Sequence, residues 1–467
     1  MPTLAEHLST YVVEATWEQL PKRVVQHTKR VILDSLGVAI AGSATLWSRA
    51  AWKVGCEEGA GQEATILRYG DRVSCATAAF VNAIFAHSLD FNDDLAGCQI
   101  GGLAAPTALA VGERTGASGK EILLAVVLGY DVITRIAEAA NSQELYLRGF
   151  QPTALCGPFA AAAIAGKLLK LDMDTLTNAF GIAGSYAGGV LEFLKDGTDT
   201  KRLHVGKAAH GGVVAALLAK HGMTGPRTIF EGECGFFRAF CGTFSAEKLL
   251  EDLGKRYDVL DTSVKKYPFC DGNATPVEAA LEIVRQEGLT VDEIESIRVR
   301  LKTFLVQYAV DYHGDRERKF RPLTMLDAQM SLPYCMAVAL LRNGDVPVDA
   351  FSQERYDDPE VLRLADKVDA EGDPELDRVP FRPMTMPSIV TITTNAGKTF
   401  TRRVDYQKGD PRNPFTEEDF VGKFRACALP VLGSRNTEDA LELVLSLETV
   451  RDPSVLWRSL VAEQVPA

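Results

Sequence analysis

Residues 156–169 read CGPFAAAAIAGKLL, and nearly every side chain in this segment is small and uncharged. A helix built from it would be apolar on all sides, which is typical of a helix buried inside a protein. Small side chains also allow neighbouring backbones to approach closely. Similar Ala/Gly-rich runs occur at residues 103–112, 182–190 and 208–219. We therefore expect a large helical domain packed around this segment.

The helical pattern extends from the N-terminus to about residue 264. Between residues 24 and 35, apolar and small side chains recur at spacings of three and four, as on the buried face of a helix. Near residue 265 the pattern changes. Residues 296–306 begin by alternating apolar with basic side chains, which predicts a half-exposed strand. Residues 389–394 and 399–404, joined by Asn-Ala-Gly-Lys, predict a β-hairpin.

Helical stretches at about 275–287, 324–342 and 358–370 lie among these strands, so residues 265–407 predict a small α+β domain. A turn-rich segment at 409–414 follows, and helical periodicity then returns. The sequence thus predicts a mainly α protein, with a helical domain made of residues 1–264 and 408–467 and an α+β domain inserted between them. Clefts between domains commonly hold active sites, and we expect one here.

Composition excludes several classes of protein. The chain has 467 residues, 46% of them apolar and 24% charged, which are values of a globular protein. Its net charge is −12 and the sequence contains no run of basic residues, so we expect no nucleic-acid partner. No uncharged apolar run approaches the ~20 residues that a membrane-spanning helix needs, and the first residues show no apolar run typical of a signal peptide, so we expect neither feature.

The cysteines and histidines do not occur in metal-binding patterns. Nine cysteines occur singly, without a CxxC pair, which favours reduced thiols and a cytoplasmic location. The seven histidines show no HxH or HExxH spacing. Neither a dinucleotide-binding nor a phosphate-binding glycine motif is present. We therefore expect an enzyme that needs no metal and no cofactor.

Five short segments resemble motifs of the MmgE/PrpD family, in the order and at the spacing found in that family. They are HSLDFNDD at 87–94, GFQP at 149–152, DTKRLHVG at 199–206, KYPFC at 266–270, and PLT with DAQMSLPY at 322–334. The resemblance covers about residues 1–440. It implies a helical domain with an inserted α+β domain, usually as a homodimer. The family includes 2-methylcitrate dehydratase, cis-aconitate decarboxylase and iminodisuccinate epimerase.

The departures from the family pattern bear on the reaction. Gln151 and Cys270 stand where the resemblance implies histidines, and residues 95–102 lack a third. Glutamine cannot exchange a proton near neutral pH, whereas histidine can. A dehydratase or decarboxylase needs a general acid, while an epimerase only removes and returns a proton on one carbon. Asp90 and Lys201 are kept, so the sequence favours an epimerase.

The resemblance and the chemistry of the side chains suggest roles for eight residues. Catalytic roles are expected for Asp90, Lys201, Cys270 and Cys98, and substrate-binding roles for Asp94, Gln99, Gln151 and Arg202. A fixed lysine would stabilise the enediolate formed when a proton leaves carbon beside a carboxylate. A cysteine thiolate near that lysine would have a lowered pKa and could act as a base. Simpler interpretations stay open: a helix-capping aspartate, a surface lysine and an inert buried thiol.

Three hypotheses follow for function. The first is an epimerase of an amino-dicarboxylate such as iminodisuccinate. The second is a lyase, either dehydratase or decarboxylase, acting on 2-methylcitrate or an aconitate-like acid. The third is a helical scaffold without activity. All three expect a homodimer, and the first two expect a small di- or tricarboxylate as the partner.

Overall fold

A computed structural model describes residues 1–312, 314–380 and 385–463 of the chain, and within these the protein is mainly α-helical. The helices that precede residue 265 are α1 Leu4–Glu14, α2 Lys22–Gly42, α3 Leu46–Glu58, α4 Cys75–His87, α5 Gly101–Thr115, α6 Gly119–Ala139, α7 Ser142–Leu147, α8 Pro152–Leu168, α9 Met173–Ala183, α10 Phe193–Asp196, α11 Thr200–Lys220 and α12 Phe236–Phe240. The helices that follow are α13 Ala274–Glu287, α14 Thr303–Ala309, α15 Glu317–Phe320, α16 Met325–Gln329, α17 Leu332–Leu341, α18 Pro359–Ala365, α19 Pro374–Asp377, α20 Glu417–Leu445 and α21 Ser454–Ser459.

Helix α8 lies at the centre of the helical part, as its small side chains predict. It packs against α5, α6, α9 and α11, and all but one of its residues are buried. The approach of α11 is close enough to require glycine. A Cβ atom on Gly212 would come within 2.4 Å of the Ala161 Cβ and of the Pro158 carbonyl oxygen. This contact fixes the position of α11, whose first turn carries Lys201.

Two sheets are present among the described residues. A two-stranded antiparallel pair joins β1 Ala64–Thr65 to β2 Arg72–Val73. A four-stranded sheet has the order β4–β3–β5–β6, from β3 Ile294–Leu301, β4 Val368–Gly372, β5 Ser388–Thr394 and β6 Thr399–Val404. Strands β3 and β4 are parallel, with Ile297 opposite Val368, whereas β5 is antiparallel to both β3 and β6.

The buried apolar side chains form two large cores. One joins residues between α1 and Val259 to residues of α20 and α21, among them Phe424 and Leu456. The other lies within residues 267–404, around the four-stranded sheet. The domain boundaries near residues 264 and 407 stay a prediction.

The length and apolar character of the helices bear on membrane insertion. No single helix in the described part of the chain is both long and apolar enough to cross a bilayer, and α2 with α3 meets those criteria only as a pair bent by 93°.

Candidate active site

A cavity of about 100 Å³ is lined by residues of the core around the four-stranded sheet, by a separate small apolar cluster, and by polar side chains from the helical part of the chain. Its polar lining residues are Asp90, Asp94, Gln99, Gln151, Lys201, Lys265, Cys270 and Asp271. Its remaining lining residues are Tyr146, Leu191, Phe193, Leu194, Gly272, Phe304, Leu305, Tyr308, Met330 and Met386. The cavity therefore brings together six of the eight residues that the sequence suggests: Asp90, Asp94, Gln99, Gln151, Lys201 and Cys270.

The loop after α4 supplies three of these side chains. Helix α4 ends at His87, and residues 88–100 are buried although they form no regular helix or strand. Asp90 adopts the left-handed backbone conformation, with φ of 50°. Aspartate tolerates this conformation better than most residues, and such conformations cluster at functional sites. The backbone at Asp90 turns there, and its carboxylate lies in the cavity.

Two buried lysines bind the same oxygen of that carboxylate. Lys201 Nζ lies 2.7 Å from Asp90 Oδ1, and Lys265 Nζ lies 3.0 Å from it. Lys265 Nζ also donates to the carbonyl oxygens of Asp90 and Phe269. Burial alone would raise the pKa of Asp90, but Lys201 and Lys265 outweigh it and hold that pKa well below its ordinary value. Asp90 is therefore a carboxylate, and the cluster keeps one net positive charge.

Lys265 is a site residue that the sequence analysis missed. The motif match assigned its lysine to Lys266, whose side chain is exposed and lies over the Tyr267 ring, 5.1 Å from the centroid. The pKa of Lys265 is raised because Asp90 and Asp271 outweigh the effect of burial. The signal was available, because the family motif that KYPFC resembles is K-x-Y-P-x-C, with its lysine two residues before the tyrosine, and this spacing points to Lys265.

A chain of hydrogen bonds crosses the cavity and ends at Asp94. His204 Nδ1 lies 2.6 Å from Gln151 Oε1, Gln151 Nε2 donates to Gln99 Oε1 at 3.2 Å, and Gln99 Nε2 donates to Asp94 Oδ2 at 2.7 Å. Gln151 directly precedes Pro152, the first residue of α8, and proline at that position favours the start of a helix. Both glutamines thus position each other and Asp94.

Asp94 differs from Asp90 in its charge. Burial and the neighbouring Asp271 raise the pKa of Asp94 to about 7. Its Oδ2 accepts the bond from Gln99, while its Oδ1 is buried and has no hydrogen-bond partner among the described residues. A proton on Oδ1 can therefore be given to a molecule bound in the cavity. The three carboxyl groups of the cavity thus differ: Asp90 is ionised, whereas burial raises the pKa of both Asp94 and Asp271, so that Asp94 can carry a proton close to neutral pH.

The cysteine expectations are not met as stated. Cys270 lines the cavity, but burial and the charge of Asp90 raise the pKa of its thiol despite Lys265 and Lys201. A lowered pKa was expected, and the surroundings of Cys270 shift its pKa in the opposite direction, which does not favour a thiolate base. Cys98 is buried outside the cavity lining, and burial together with its neighbour Cys156 raises the pKa of Cys98 well above its ordinary value. The two thiols do not flank one cavity position.

Arg202 does not reach the cavity either. Its guanidinium is buried, donates to Gln329 Oε1 at 3.0 Å and lies over the Trp47 ring at 4.8 Å. Gln329 in turn donates to the carbonyl oxygens of Leu89 and Pro268. Arg202 thus holds together the backbone segments that precede Asp90 and Cys270, and the expectation that it binds substrate directly is not supported.

Comparison with known proteins supplies the family. The MmgE/PrpD N-terminal domain matches residues 6–249, and the MmgE/PrpD C-terminal domain matches residues 267–449. The human cis-aconitate decarboxylase is 30% identical over 485 residues, covering 100% of this chain and 96% of the relative. The mouse cis-aconitate decarboxylase is 31% identical over 459 residues, covering 95% of this chain and 90% of the relative. That of Aspergillus terreus is 26% identical over 451 residues, covering 93% and 91%.

Proposed function

The chain belongs to the MmgE/PrpD family, and from that premise we propose that it is a lyase that removes CO₂ from an unsaturated carboxylic acid of the aconitate type. The relatives named above are cis-aconitate decarboxylases, which favours the lyase alternative over the epimerase prediction. The observation that supports the proposal most directly is that Lys201, Lys265 and Asp94, whose pKa is raised to about 7 by burial and by Asp271, line one cavity. The buried lysine pair also argues against a scaffold without activity.

The lysines provide the electrostatic part of catalysis. When CO₂ leaves from a saturated carbon next to an alkene, the electrons of the broken C–C bond pass over the alkene into the carboxylate at its other end, which becomes a dianion. Lys201 and Lys265 are fixed cations in a buried site, where they stabilise such charge without reorganising. Asp90 holds both ammonium groups in place. It is therefore a positioning residue in this mechanism, not a base.

Asp94 supplies the acid whose absence favoured an epimerase. Glutamine and cysteine occupy positions where the family resemblance implies imidazoles. In the folded chain, burial makes a carboxylic acid available instead. The proton on Asp94 Oδ1 passes to the carbanionic carbon, the alkene moves by one bond, and Asp94 regains a proton from water. The C–C bond to the leaving carboxylate breaks and one C–H bond forms, so atoms and charge balance.

The test is a direct search for CO₂ release. Purified enzyme is incubated with cis-aconitate in D₂O, CO₂ is captured, and the products are followed by proton NMR. We expect CO₂ release together with one deuterium in the product at the carbon that is protonated. The Lys201→Met variant should lose both signals. Exchange of a C–H hydrogen of a dicarboxylate without CO₂ release would reject the lyase and return the chain to the epimerase hypothesis.

A further inference from the structure

The cavity has one polar end and one extended apolar wall. Leu191, Phe193 and Met330 belong to a separate small apolar cluster, against which Tyr146, Leu194 and Tyr308 pack. All six of these residues line the cavity. They face a space whose other side holds the two lysines and the acidic side chains. A ligand that fills the cavity must therefore place an apolar group against this wall.

The positive charge at the polar end is limited. Among the described lining residues, only Lys201 and Lys265 are cationic, and both bind one oxygen of Asp90. Two further buried cations, Arg202 and Lys319, do not line the cavity and bind other groups. Arg202 is bonded to Gln329, and Lys319 Nζ donates to the carbonyl oxygens of Tyr308 and Met330.

A third carboxylate on the substrate would therefore lack a partner. cis-Aconitate carries carboxylates on both ends of a three-carbon skeleton and another on the middle carbon. Two of them can share the lysines and the protonated Asp94. The last one would lie against Leu191, Phe193 or Met330, and a buried charge without a partner is costly. Gln99 and Gln151 offer only amide hydrogens that remain beyond those used in their own chain.

We infer that the acid for this site carries two carboxylates and an apolar substituent on the middle carbon, as in a 3-alkylglutaconate. This inference rests on the proposed function, because it assigns the substrate class of the same decarboxylation. In such an acid the alkyl group takes the place of the middle carboxylate of cis-aconitate. The leaving carboxylate and the carboxylate that accepts the electrons are unchanged, so the chemistry proposed above is unchanged.

The binding of acids that cannot react tests this inference independently of the proposed reaction. Tricarballylate and 3-methylglutarate are saturated, cannot undergo the allylic decarboxylation, and differ only in a carboxylate or a methyl group on the middle carbon. Isothermal titration calorimetry at pH 6.5, below the Asp94 pKa of about 7, should give at least tenfold tighter binding for 3-methylglutarate. Equal or tighter binding of tricarballylate, or binding of neither at millimolar concentration, would overturn the inference.

A designed cation should reverse the preference. Leu194 lines the apolar wall and is only half-buried. A Leu194→Arg variant can therefore add a charge there without burying the guanidinium completely. Its ratio of affinities should shift at least tenfold toward tricarballylate, with the helical circular dichroism unchanged. Leu429→Arg, at an exposed position on α20, is the matched control and should not change the ratio. A Leu194→Arg variant that folds and keeps the parent ratio would contradict the inference.

Turnover then tests the proposed function separately. CO₂ release from 3-methylglutaconate is compared with that from cis-aconitate, and kcat/KM should be at least tenfold higher for the former. If cis-aconitate is the better substrate, the lyase stands and the substrate class is wrong. If neither acid releases CO₂ while 3-methylglutarate binds more tightly than tricarballylate, the lyase is wrong and the ligand class stands.

Discussion

At the scale of single residues, two neighbouring lysines have opposite surroundings. Lys265 is buried on Asp90, whereas Lys266 is exposed beside Tyr267. We expect Lys265→Met to lower kcat/KM by ~10²–10³, the loss typical of one preorganised donor to a developing negative charge. Lys266→Met is the matched control and should change it less than twofold. Steady-state kinetics on both variants is the measurement, and equal effects would contradict the assignment of Lys265.

The acid role of Asp94 predicts a direction for the pH dependence. Its pKa is raised to about 7, so the protonated form that donates is present below pH 7 and lost above it. We expect kcat/KM to fall as the pH rises through about 7. Asp94→Asn should be inactive at every pH, because an amide cannot give up a proton. A profile that rises with pH across the same range would show that Asp94 is not the acid.

The sequence could predict which residue types meet in the cavity, but not their charges or directions. Motif matches led to Asp90, Lys201 and Gln151, and the structure brings these together. Arg202 follows Lys201 on α11, and consecutive helical residues point about 100° apart. Lys201 therefore lines the cavity while Arg202 points elsewhere. The protonation of Asp94 depends on burial and on Asp271, which lies 177 positions away in the chain and is invisible to a local pattern.

At the scale of secondary structure, elements set by local chemistry were predicted well. The hairpin of β5 and β6 is confirmed, with Gly397 at φ of 75° in its turn. The strand predicted over 296–306 ends earlier, because Asp377 binds the backbone nitrogen and hydroxyl of Thr303 and starts α14. Residues 358–370 were predicted helical throughout, but α18 stops and residues 368–372 pair with β3. Both errors come from partners far away in the sequence.

Lys423 on α20 connects the two segments that carry the polar cluster. Its Nζ donates to the carbonyl oxygens of Phe91 and Lys265, each at 2.8 Å, and lies 2.6 Å from Asp34 Oδ1. It does not line the cavity. Lys423→Met should therefore lower kcat by about tenfold or more by releasing the backbone next to Asp90 and Lys265, as expected when a misplaced group loses its alignment.

A double variant separates positioning from charge balance at Lys423. The pKa of Asp34 is raised to about 6 by burial, although Lys423 opposes that effect, so losing the lysine leaves a buried carboxylate without a partner. Asp34→Asn combined with Lys423→Met removes that charge and should recover thermal stability. If kcat stays low in the double variant, Lys423 acts by positioning. Recovery of kcat together with stability would reject the positioning role.

At the scale of the whole molecule, the homodimer stays a prediction from the family resemblance. The chain has a mass of 50.7 kDa, and light scattering at micromolar concentration should give about twice that value. The measurement should be repeated at several concentrations, because a dimer that dissociates would shift toward the chain mass on dilution. A constant mass of one chain would exclude the dimer.

The cavity takes its lining from two segments that lie far apart in the sequence, so a ligand in it should stabilise both. Asp90 and Asp94 lie on the loop after α4, whereas Lys265 and Cys270 lie on the segment that leads into the second core. Ligand that binds only the folded cavity raises the free energy of opening every element that must be closed to form it. Hydrogen–deuterium exchange with saturating 3-methylglutarate should therefore slow in peptides covering 88–100 and 265–272 together. No residue of the β5–β6 hairpin, 388–404, lines the cavity, although Met386 just before it does. The hairpin is therefore the internal control, and we expect little change in its exchange. Slowing in only one of the two segments would mean that the cavity does not close on both sides of the ligand.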